Sequence, residues 1–232
     1  MDKASDTFIL TIDGPVGSGK GTIGQLIARH YGWHYLDSGA LYRAFSYAAD
    51  QQGISSEDDE ALKTLINSLE INFIPTTDGG SDININGENV TDKVRHENAG
   101  ILASQYAGKP VVREILLNLQ KRAVKPPGLV ADGRDMGSVV FPHADLKIYL
   151  TASAQSRAQR RYKQLKLKGF NVKLTRLVED IKQRDWQDEN RKHSPLAPAE
   201  DAIVLDTTSM TIDQVCNKIV ELIDKNAVTA PP

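Results

Sequence analysis

Cysteine is almost absent from this 232-residue chain, in which Cys216 is the only one. A single thiol excludes an internal disulfide and any metal cluster built from several cysteines. The first ten residues contain acids and a lysine, but no apolar core followed by a small-residue cleavage site, so the pattern of a secretory signal is also missing. These two absences predict a cytoplasmic protein.

Long apolar runs are missing as well, since the longest is the four residues Ala202–Leu205. A helix needs about 18 or more apolar residues to cross a bilayer, so the sequence predicts no membrane-spanning helix. Glycine and proline number 17 and 10, too few for a collagenous or low-complexity chain. With 40% hydrophobic and 25% charged residues, the composition is that of an ordinary globular protein.

The chain has no excess of positive charge, because 28 Lys and Arg against 30 Asp and Glu give a net charge of −2. Proteins that bind nucleic acid or anionic lipid usually have a clearly basic surface, so neither partner is predicted. An anionic ligand would therefore have to be bound locally. Basic residues are dense between Arg157 and Arg191, and this clustering indicates such a local site.

Short β-favouring runs alternate with segments of helical periodicity. The runs cover Phe8–Ile12, Trp33–Leu36, Leu129–Ala131, Lys147–Leu150 and Ala202–Leu205. Strands that alternate with helices form parallel βαβ units, so the pattern predicts an α/β fold with a doubly wound parallel sheet of about five strands flanked by helices. Ligands of such sheets bind at the carboxyl ends of the strands.

Two segments interrupt this alternation. Residues 69–95 alternate apolar and polar positions between turn sequences, which predicts a small antiparallel insert. Residues 164–174 are lysine-rich and have little apolar content, which predicts a mobile flap between two arginine-bearing helices. No interdomain linker is visible, so a single domain is expected over residues 1–225, followed by a disordered tail over 226–232.

A glycine-rich segment joins the first predicted strand to a helix. The segment, called the phosphate loop below, comprises Gly14, Pro15, Val16, Gly17, Ser18, Gly19, Lys20, Gly21 and Thr22. Its backbone N–H groups and the helix N-terminus are expected to bind an anion, with Lys20 as a point charge for the β and γ phosphates of a nucleoside triphosphate. The usual pattern has Ser or Thr directly after the lysine, whereas here Gly21 precedes Thr22. The structural alternative is a plain glycine-rich turn.

Two further polar motifs follow predicted strands. Asp37–Arg43 begins a helix after the second strand, and Asp132–Gly137 lies at the end of a later one. Asp132 occupies the position at which an acidic residue usually orients Mg²⁺ or its waters. A structural Asp–Gly turn would explain the first two residues of the second motif. It would not explain the two charges that follow, Arg134 and Asp135.

Arginines on two predicted helices surround the flap. Arg184, Asp188 and Arg191 lie four and three residues apart, which puts them on one helical face. Alone, that spacing is typical of a solvated ion-pair ladder. The helix before the flap carries Arg157, Arg160 and Arg161. Two arginine faces around a flexible segment predict a lid over about 157–185 that closes over phosphates and excludes water.

These motifs, in this order, resemble the bacterial cytidylate kinases over roughly residues 8–223. The Gly-Lys-Gly-Thr sequence of the phosphate loop resembles nucleoside monophosphate kinases, and the Asn-Lys-x-Asp motif of GTPases is missing. The resemblance implies a P-loop kinase, a monomer, that transfers the γ-phosphate of ATP to CMP or dCMP with Mg²⁺. It also implies a monophosphate-binding region at about 38–125 that the antiparallel insert enlarges.

The resemblance assigns roles to individual residues. The cytosine would be read by Ser104, Arg113 and Asp135. The monophosphate would be held by Arg43, Arg134 and Arg184, and the sugar by Ser38 and Asp188, with Arg191 nearby. Charge on the transferring phosphate would be balanced by Lys20, Arg157, Arg161 and Arg184, although helical spacing does not separate Arg157 and Arg161 from Arg160. Thr22 and Asp132 would hold the metal, the latter directly or through water.

The chemistry of cytosine fits two of these residues independently of the resemblance. Cytosine presents the N4 amino donor beside the N3 and O2 acceptors, whereas uracil has the acceptor O4 in place of N4. A carboxylate with a guanidinium, the types of Asp135 and Arg113, matches the cytosine edge. Two alternatives stay open from the residues alone: another small kinase for uridylate, thymidylate, adenylate or a metabolite hydroxyl, and a nucleotide-dependent switch without an acceptor.

Overall fold

A computed structural model of the chain describes residues 7–76, 81–167, 169–190 and 195–229. Two compact units are formed. Unit 1 consists of the chain up to Tyr35 and from Val124 onward, and unit 2 is Leu36–Ala123. Unit 2 nearly coincides with the monophosphate-binding region expected over 38–125. A single kinase domain over 1–225, with a lid over about 157–185, stays a prediction.

Strands and helices alternate over most of the described chain. The strands are β1 (Phe8–Asp13), β2 (His34–Asp37), β3 (Ile71–Pro75), β4 (Ser81–Ile85), β5 (Glu88–Asn89), β6 (Gly128–Gly133), β7 (Leu146–Thr151) and β8 (Ile203–Asp206). The α-helices are α1 (Lys20–Tyr31), α2 (Ser38–Gln51), α3 (Asp59–Asn67), α4 (Thr91–Arg95), α5 (Glu97–Ala107), α6 (Pro110–Lys121), α7 (Ala154–Leu167), α8 (Leu174–Glu189) and α9 (Ile212–Thr229). A π-helical segment covers Met136–Val140.

The main sheet contains, in the described part of the chain, five strands in the order β2-β6-β1-β7-β8. β1 pairs in parallel with β6 on one side and with β7 on the other, and β7 pairs in parallel with β8. The predicted five-stranded parallel sheet is therefore confirmed. Because β1 is central, the phosphate loop that follows it leaves from the middle of the sheet edge where parallel strands end.

The core of unit 1 lies between the sheet and the helices packed on it. Leu10 and Ile12 of β1 are fully buried and belong to one cluster with Ile27 of α1 and Ile219 of α9. Each such side chain contributes about 1.5–3 kcal/mol when it is removed from water. Thr11, on the opposite side of the alternating strand, is also fully buried, because the sheet is covered on both faces.

Unit 2 is mainly helical and contains the predicted antiparallel insert, which is confirmed as the three-stranded sheet β3-β4-β5. The turn between β4 and β5 is Asn86–Gly87, and both residues have a positive φ, 50° and 85°. Asn-Gly is the sequence that a tight two-residue hairpin turn favours. Phe45 of α2 and Leu116 of α6 are fully buried in the largest cluster of this unit.

Two expectations about flexible segments are wrong over part of their length. α7 runs to Leu167 and α8 begins at Leu174, so the connection between them is shorter than the predicted flap, and Lys168 lies outside the described residues. The reason is that Leu165 and Leu174 pack against the small α7–α8 core, which anchors the helix ends. Likewise, residues 226–229 continue α9 and are no disordered tail, while 230–232 lie outside the described residues.

No helix within the described ranges is both long enough and apolar enough to cross a bilayer.

Substitutions on α9 test how much the burial of its apolar side chains stabilises unit 1. Replacing Ile219, which is fully buried, by Ala should lower the free energy of unfolding by about 2–5 kcal/mol, because it leaves a cavity against the sheet. Ile212→Ala is the matched control on the same helix, since Ile212 is 52% exposed, and it should cost well under half as much. Urea unfolding measures both. Equal losses would contradict the assigned packing of α9.

Candidate active site

The phosphate loop leaves β1 through a conformation that needs glycine. Gly14 has a φ of +146°, and a Cβ added there would lie 2.0 Å from the carbonyl oxygen of Leu150 in β7. The loop therefore passes directly over the neighbouring strand before α1 begins at Lys20. This is the strand, loop and helix arrangement that the sequence predicts for binding phosphate.

Two buried polar side chains lie in this loop. Lys20 is 9% exposed, and its Nζ donates a hydrogen bond to the carbonyl oxygen of Pro15 at 2.9 Å. The ammonium group is thus held against the loop itself. Ser18 is 2% exposed, and its hydroxyl has no hydrogen-bond partner within the described part of the chain. A buried hydroxyl of this kind leaves hydrogen-bonding capacity for a ligand.

Arginines of α7 bind the outside of the phosphate loop. Arg157 is buried, and its Nη1 donates to the carbonyl oxygen of Val16 at 3.0 Å. Its guanidinium also forms two hydrogen bonds with Asp185 of α8, at 2.9 and 2.5 Å. Arg160 donates to the carbonyl oxygen of Ser18 at 3.2 Å. α7 is therefore bonded to the loop through the loop's carbonyl oxygens, and α8 is bonded to α7.

The four arginines expected on the lid helices thus differ in environment. Arg157 is buried, Arg160 and Arg184 are partly buried, and Arg161 is exposed on α7. Asp185, which holds Arg157, was missed by the sequence reasoning. The two residues are 28 positions apart, so no local pattern pairs them.

Asp132 ends β6 beside the first turn of α1. Its Oδ2 accepts a hydrogen bond from the hydroxyl of Tyr35 at 2.9 Å, and a Cβ added at Gly21 would lie 3.4 Å from the same oxygen. The carboxylate is therefore next to the phosphate loop, and its role in orienting a metal stays a prediction. Tyr35 was not predicted as a site residue. The feature that could have indicated it is its position on β2, the strand beside β6 in the sheet.

The residues expected to hold Mg²⁺ have suitable chemistry for it. Asp132 offers a carboxylate and Thr22, which is exposed on α1, offers a hydroxyl. Oxygen ligands suit this small, hard cation, which usually takes one or two carboxylates together with substrate phosphates and waters. Within the described ranges, no group of three or more His, Cys, Asp or Glu residues is arranged to hold a metal. The donor set therefore fits a nucleotide-bound Mg²⁺ rather than an all-protein site.

A second acid, Asp13, was missed by the sequence reasoning. It is the last residue of β1, is 5% exposed, and accepts hydrogen bonds from the backbone N–H groups of Met136 at 2.9 Å and Gly137 at 2.8 Å. Burial raises the pKa of Asp13 to about 6, although these two N–H groups and Lys20 lower it. The available signal was an acid at the carboxyl end of a strand, directly before the phosphate loop.

The Asp132–Gly137 motif and α8 meet at an ion pair. Arg134 Nε donates to Asp188 Oδ2 at 2.5 Å, and the Asp188 side chain is almost completely buried. Asp135, next to Arg134, is 8% exposed. Arg184 lies one helical turn before Asp188 on α8 and is partly buried. Arg191 lies outside the described residues.

Unit 2 holds the remaining predicted residues. Ser38, at the start of α2, is buried, and its Oγ accepts a hydrogen bond from Gln120 Nε2 at 3.1 Å. Arg43 Nη1 donates to the carbonyl oxygens of Val94 and Arg95 at 3.3 and 3.5 Å, at the end of α4. The guanidinium is thus held by the last carbonyls of a helix, a favourable place for a cation.

The two residues expected to read the base from unit 2 are on α5 and α6. Ser104 is exposed, and its hydroxyl donates to the carbonyl oxygen of Gly100 at 3.0 Å. Arg113 is partly buried on α6. Gln120 was missed by the sequence reasoning. It lies seven residues after Arg113 and so shares its helical face, and this spacing was the feature of the sequence that could have indicated Gln120.

Comparisons with known proteins give one consistent family. A family model described as cytidylate kinase matches residues 10–225. A cytidylate kinase of Stutzerimonas stutzeri is 52% identical over 220 residues, which cover 94% of this chain and 96% of that protein. A cytidylate kinase of a Marinomonas species is 53% identical over 211 residues, 91% of this chain and 93% of that protein.

A solved structure supports the fold. An uncharacterized protein from Eubacterium ventriosum has a TM-score of 0.53 with 13% identity, over 94% of this chain and 99% of that chain. At this identity the likeness concerns the fold alone.

The raised pKa of Asp13 makes stability depend on pH. Because its folded pKa of about 6 exceeds the ordinary 3.8, the folded chain binds more protons between these values than the unfolded chain. Its contribution to the free energy of unfolding is fully present below the ordinary pKa and is lost as the pH rises through about 6, roughly 3 kcal/mol in all.

Urea unfolding of the wild type and of Asp13→Asn isolates this contribution. From about pH 4 to about pH 7.5, the wild type should lose roughly 3 kcal/mol of stability relative to the variant, which has no carboxylate at this position. Titrating groups that do not interact with Asp13 cancel in the difference. A difference between the two proteins that is constant over this range would contradict the assigned pKa.

Proposed function

The chain belongs to the cytidylate kinase family, and from that premise we propose how its residues transfer the γ-phosphate of ATP to CMP or dCMP. The chain is an ATP-dependent kinase, and the products are ADP and CDP or dCDP. One observation carries the residue-level proposal. β1 pairs with β6 so that Asp13 is opposite Gly133, and the phosphate loop and the Asp132–Gly137 motif therefore begin at the same edge of the sheet.

On the donor side, the phosphate loop binds ATP. Its N–H groups surround the β phosphate, and Lys20 places its charge on the β and γ phosphates. The bonds from Arg157 and Arg160 to the loop carbonyls support a role for both in keeping the loop in its binding conformation. Arg157, Arg161 and Arg184 then balance the charge that develops on the transferring phosphate.

Mg²⁺ is the expected partner of ATP at this site, with Asp132 and Thr22 as its protein ligands. Held by Asp132 and Thr22, the ion would supply positive charge that offsets the negative charge of the donor phosphates. The Asp132 carboxylate is oriented by the hydroxyl of Tyr35, which supports a fixed position for the ion or for a water on it.

On the acceptor side, side chains from several motifs bind CMP. Asp135 accepts a hydrogen bond from the N4 amino group, and Ser104 and Arg113 bind the rest of the cytosine edge. The monophosphate and the sugar are bound by a set of charged and hydroxyl side chains: Arg43, Arg134 and Arg184 for the phosphate, and Ser38, Asp188 and Arg191 for the sugar. The 2.5 Å ion pair between Arg134 and Asp188 supports neighbouring positions for these two groups.

The transfer itself needs little covalent help from the protein. The acceptor is a phosphate oxygen that is already ionised, so no general base is required. The residues act by aligning donor and acceptor and by neutralising charge, while the lid helices α7 and α8 exclude water, which would otherwise accept the phosphate.

The remaining expectations are part of the same proposal. A monomer acting in the cytoplasm on free nucleotides, and on neither nucleic acid nor membranes, agrees with the net charge of −2 and the single cysteine. Sedimentation of the purified chain tests the oligomeric state.

Lys20→Met should nearly abolish transfer while CMP binding survives, because the lysine acts on the donor phosphates. ADP release measures transfer, and calorimetry with CMP measures acceptor binding. Lys218→Met, an exposed lysine on α9, is the matched control and should change neither. A folded Lys20 variant that loses CMP binding as completely as transfer would contradict the donor assignment.

A panel of monophosphates tests the acceptor. ADP should be released with CMP or dCMP and poorly with UMP, because O4 of UMP is an acceptor and cannot donate to the Asp135 carboxylate as the N4 amino group of CMP can. In Asp135→Asn the amide can donate to O4, so the ratio of kcat/KM for CMP over UMP should fall about tenfold or more.

Two other results of this panel would change the assignment. An equal loss with both acceptors would make Asp135 a structural or metal-orienting residue. ADP release that does not depend on any acceptor would favour a nucleotide-dependent switch. Asp213→Asn, at the first turn of α9, is the control for the substitution itself and should leave the ratio unchanged.

A further inference from the structure

The mechanism above does not use Asp13, although this acid contacts the segment that carries Asp135. Its two carboxylate oxygens bind different N–H groups: Oδ1 accepts from Met136 and Oδ2 accepts from Gly137. These are the two residues that directly follow Asp135. The carboxylate is 5% exposed, so water does not compete strongly for either bond.

The π-helical segment needs such an acceptor at its start. The first N–H groups of any helix have no carbonyl partner within the helix. Here Asp13 accepts from the first two, while the carbonyl oxygen of Asp135 accepts from Val139 at 2.9 Å and Val140 at 3.2 Å. The backbone of Asp135 is therefore fixed on both sides, by its own carbonyl and by the two N–H groups after it.

The segment has little room to relax if this anchor is lost. A Cβ added at Gly137 would lie 2.9 Å from Thr11 Oγ1 and 3.1 Å from Lys147 Cδ, so the backbone lies directly against β1 and β7. Thr11 and Asp13 point to the same face of β1, because side chains alternate along a strand. The segment is thus packed at Thr11 and hydrogen-bonded at Asp13.

Asp13 is also the residue before Gly14, where the phosphate loop begins. Gly14 passes over the backbone of β7 without space for a side chain, so the position of the loop follows from the end of β1. One residue is therefore connected by its backbone to the donor loop and by its side chain to the segment of Asp135.

We propose that Asp13 is a positioning residue for acceptor specificity. It holds the Asp135 carboxylate in the position from which that carboxylate discriminates cytosine from uracil, and it fixes this position relative to the phosphate loop. The inference rests on the proposed function, because it requires Asp135 to read the base. A carboxylate is needed because two oxygens must accept two N–H bonds. An amide has one oxygen, and its NH₂ group would face the second N–H donor.

The test compares Asp13→Asn with the wild-type chain, using CMP and UMP as acceptors and ATP as donor. The ratio of kcat/KM for CMP over UMP should fall about fivefold or more, mainly through a higher KM for CMP, while the KM for ATP changes less. Asp145→Asn is the matched control: the Asp145 carboxylate also accepts a backbone N–H bond of β1, from Ile9, but does not contact the Asp135 segment, and its replacement should keep the ratio unchanged.

A double variant tests whether Asp13 acts through Asp135. Adding Asp13→Asn to Asp135→Asn should lower the ratio no further than Asp135→Asn alone. If Asp13 acts through Asp135, the effects of the two substitutions on the ratio are not additive. Two independent reductions that multiply would overturn the proposal. Amide exchange measured by NMR gives a readout without activity: the Met136 and Gly137 amides should exchange much faster in Asp13→Asn than in the wild type.

These outcomes separate the inference from the proposed function. A wild-type chain that does not prefer CMP to UMP would contradict the function itself. A wild type that prefers CMP, together with an Asp13→Asn variant that exchanges faster at Met136 and Gly137 yet keeps the ratio, would overturn the inference alone. If Asp13→Asn does not fold, Asp13→Ser, whose hydroxyl accepts one of the two bonds, takes its place with the same expected fall in the ratio.

Discussion

Parallel pairing of β1 with β6 and β7 is the constraint on which the candidate site depends. It brings the carboxyl ends of three strands to one edge, with Asp13 beside Gly133 and Tyr149. The end of β1 and the phosphate loop thereby meet the Asp132–Gly137 motif and the start of α7, each more than a hundred residues further along the chain. The backbone hydrogen bonds of the sheet hold them there without any contribution from a ligand.

Buried charge is the second property of this edge, and three of the buried charged groups have partners that make their burial tolerable. Arg157 is bonded to Asp185, Asp188 to Arg134, and Lys20 to a loop carbonyl. A charge without such a partner would cost several kcal/mol in this environment. The same partners keep the side chains in fixed positions, which is what phosphoryl transfer needs, since reorganisation of charged groups adds to the barrier.

The motifs that the sequence indicates are local. The phosphate loop, the helix start after Asp37 and the acid at the end of β6 each belong to one continuous segment whose strand, turn and helix signals are near in sequence. Asp13, Tyr35, Asp185 and Gln120 were missed because their partners lie on other elements. The connection between α7 and α8 was predicted too long, because the leucines that anchor the helix ends are few among many lysines.

The sequence by itself determined the elements, the parallel sheet with its antiparallel insert, and the chemical types that the site offers to phosphate and base. Periodicity, glycine-containing turns and strand–helix alternation are properties of adjacent residues, so they can be read without a structure. Only the tertiary structure decided which charges pair, as in the bonds of Arg157 to Val16 and Asp185. It also decided that Asp13 holds the segment after Asp135, because a contact over 123 residues exists only after β1 and β6 have paired.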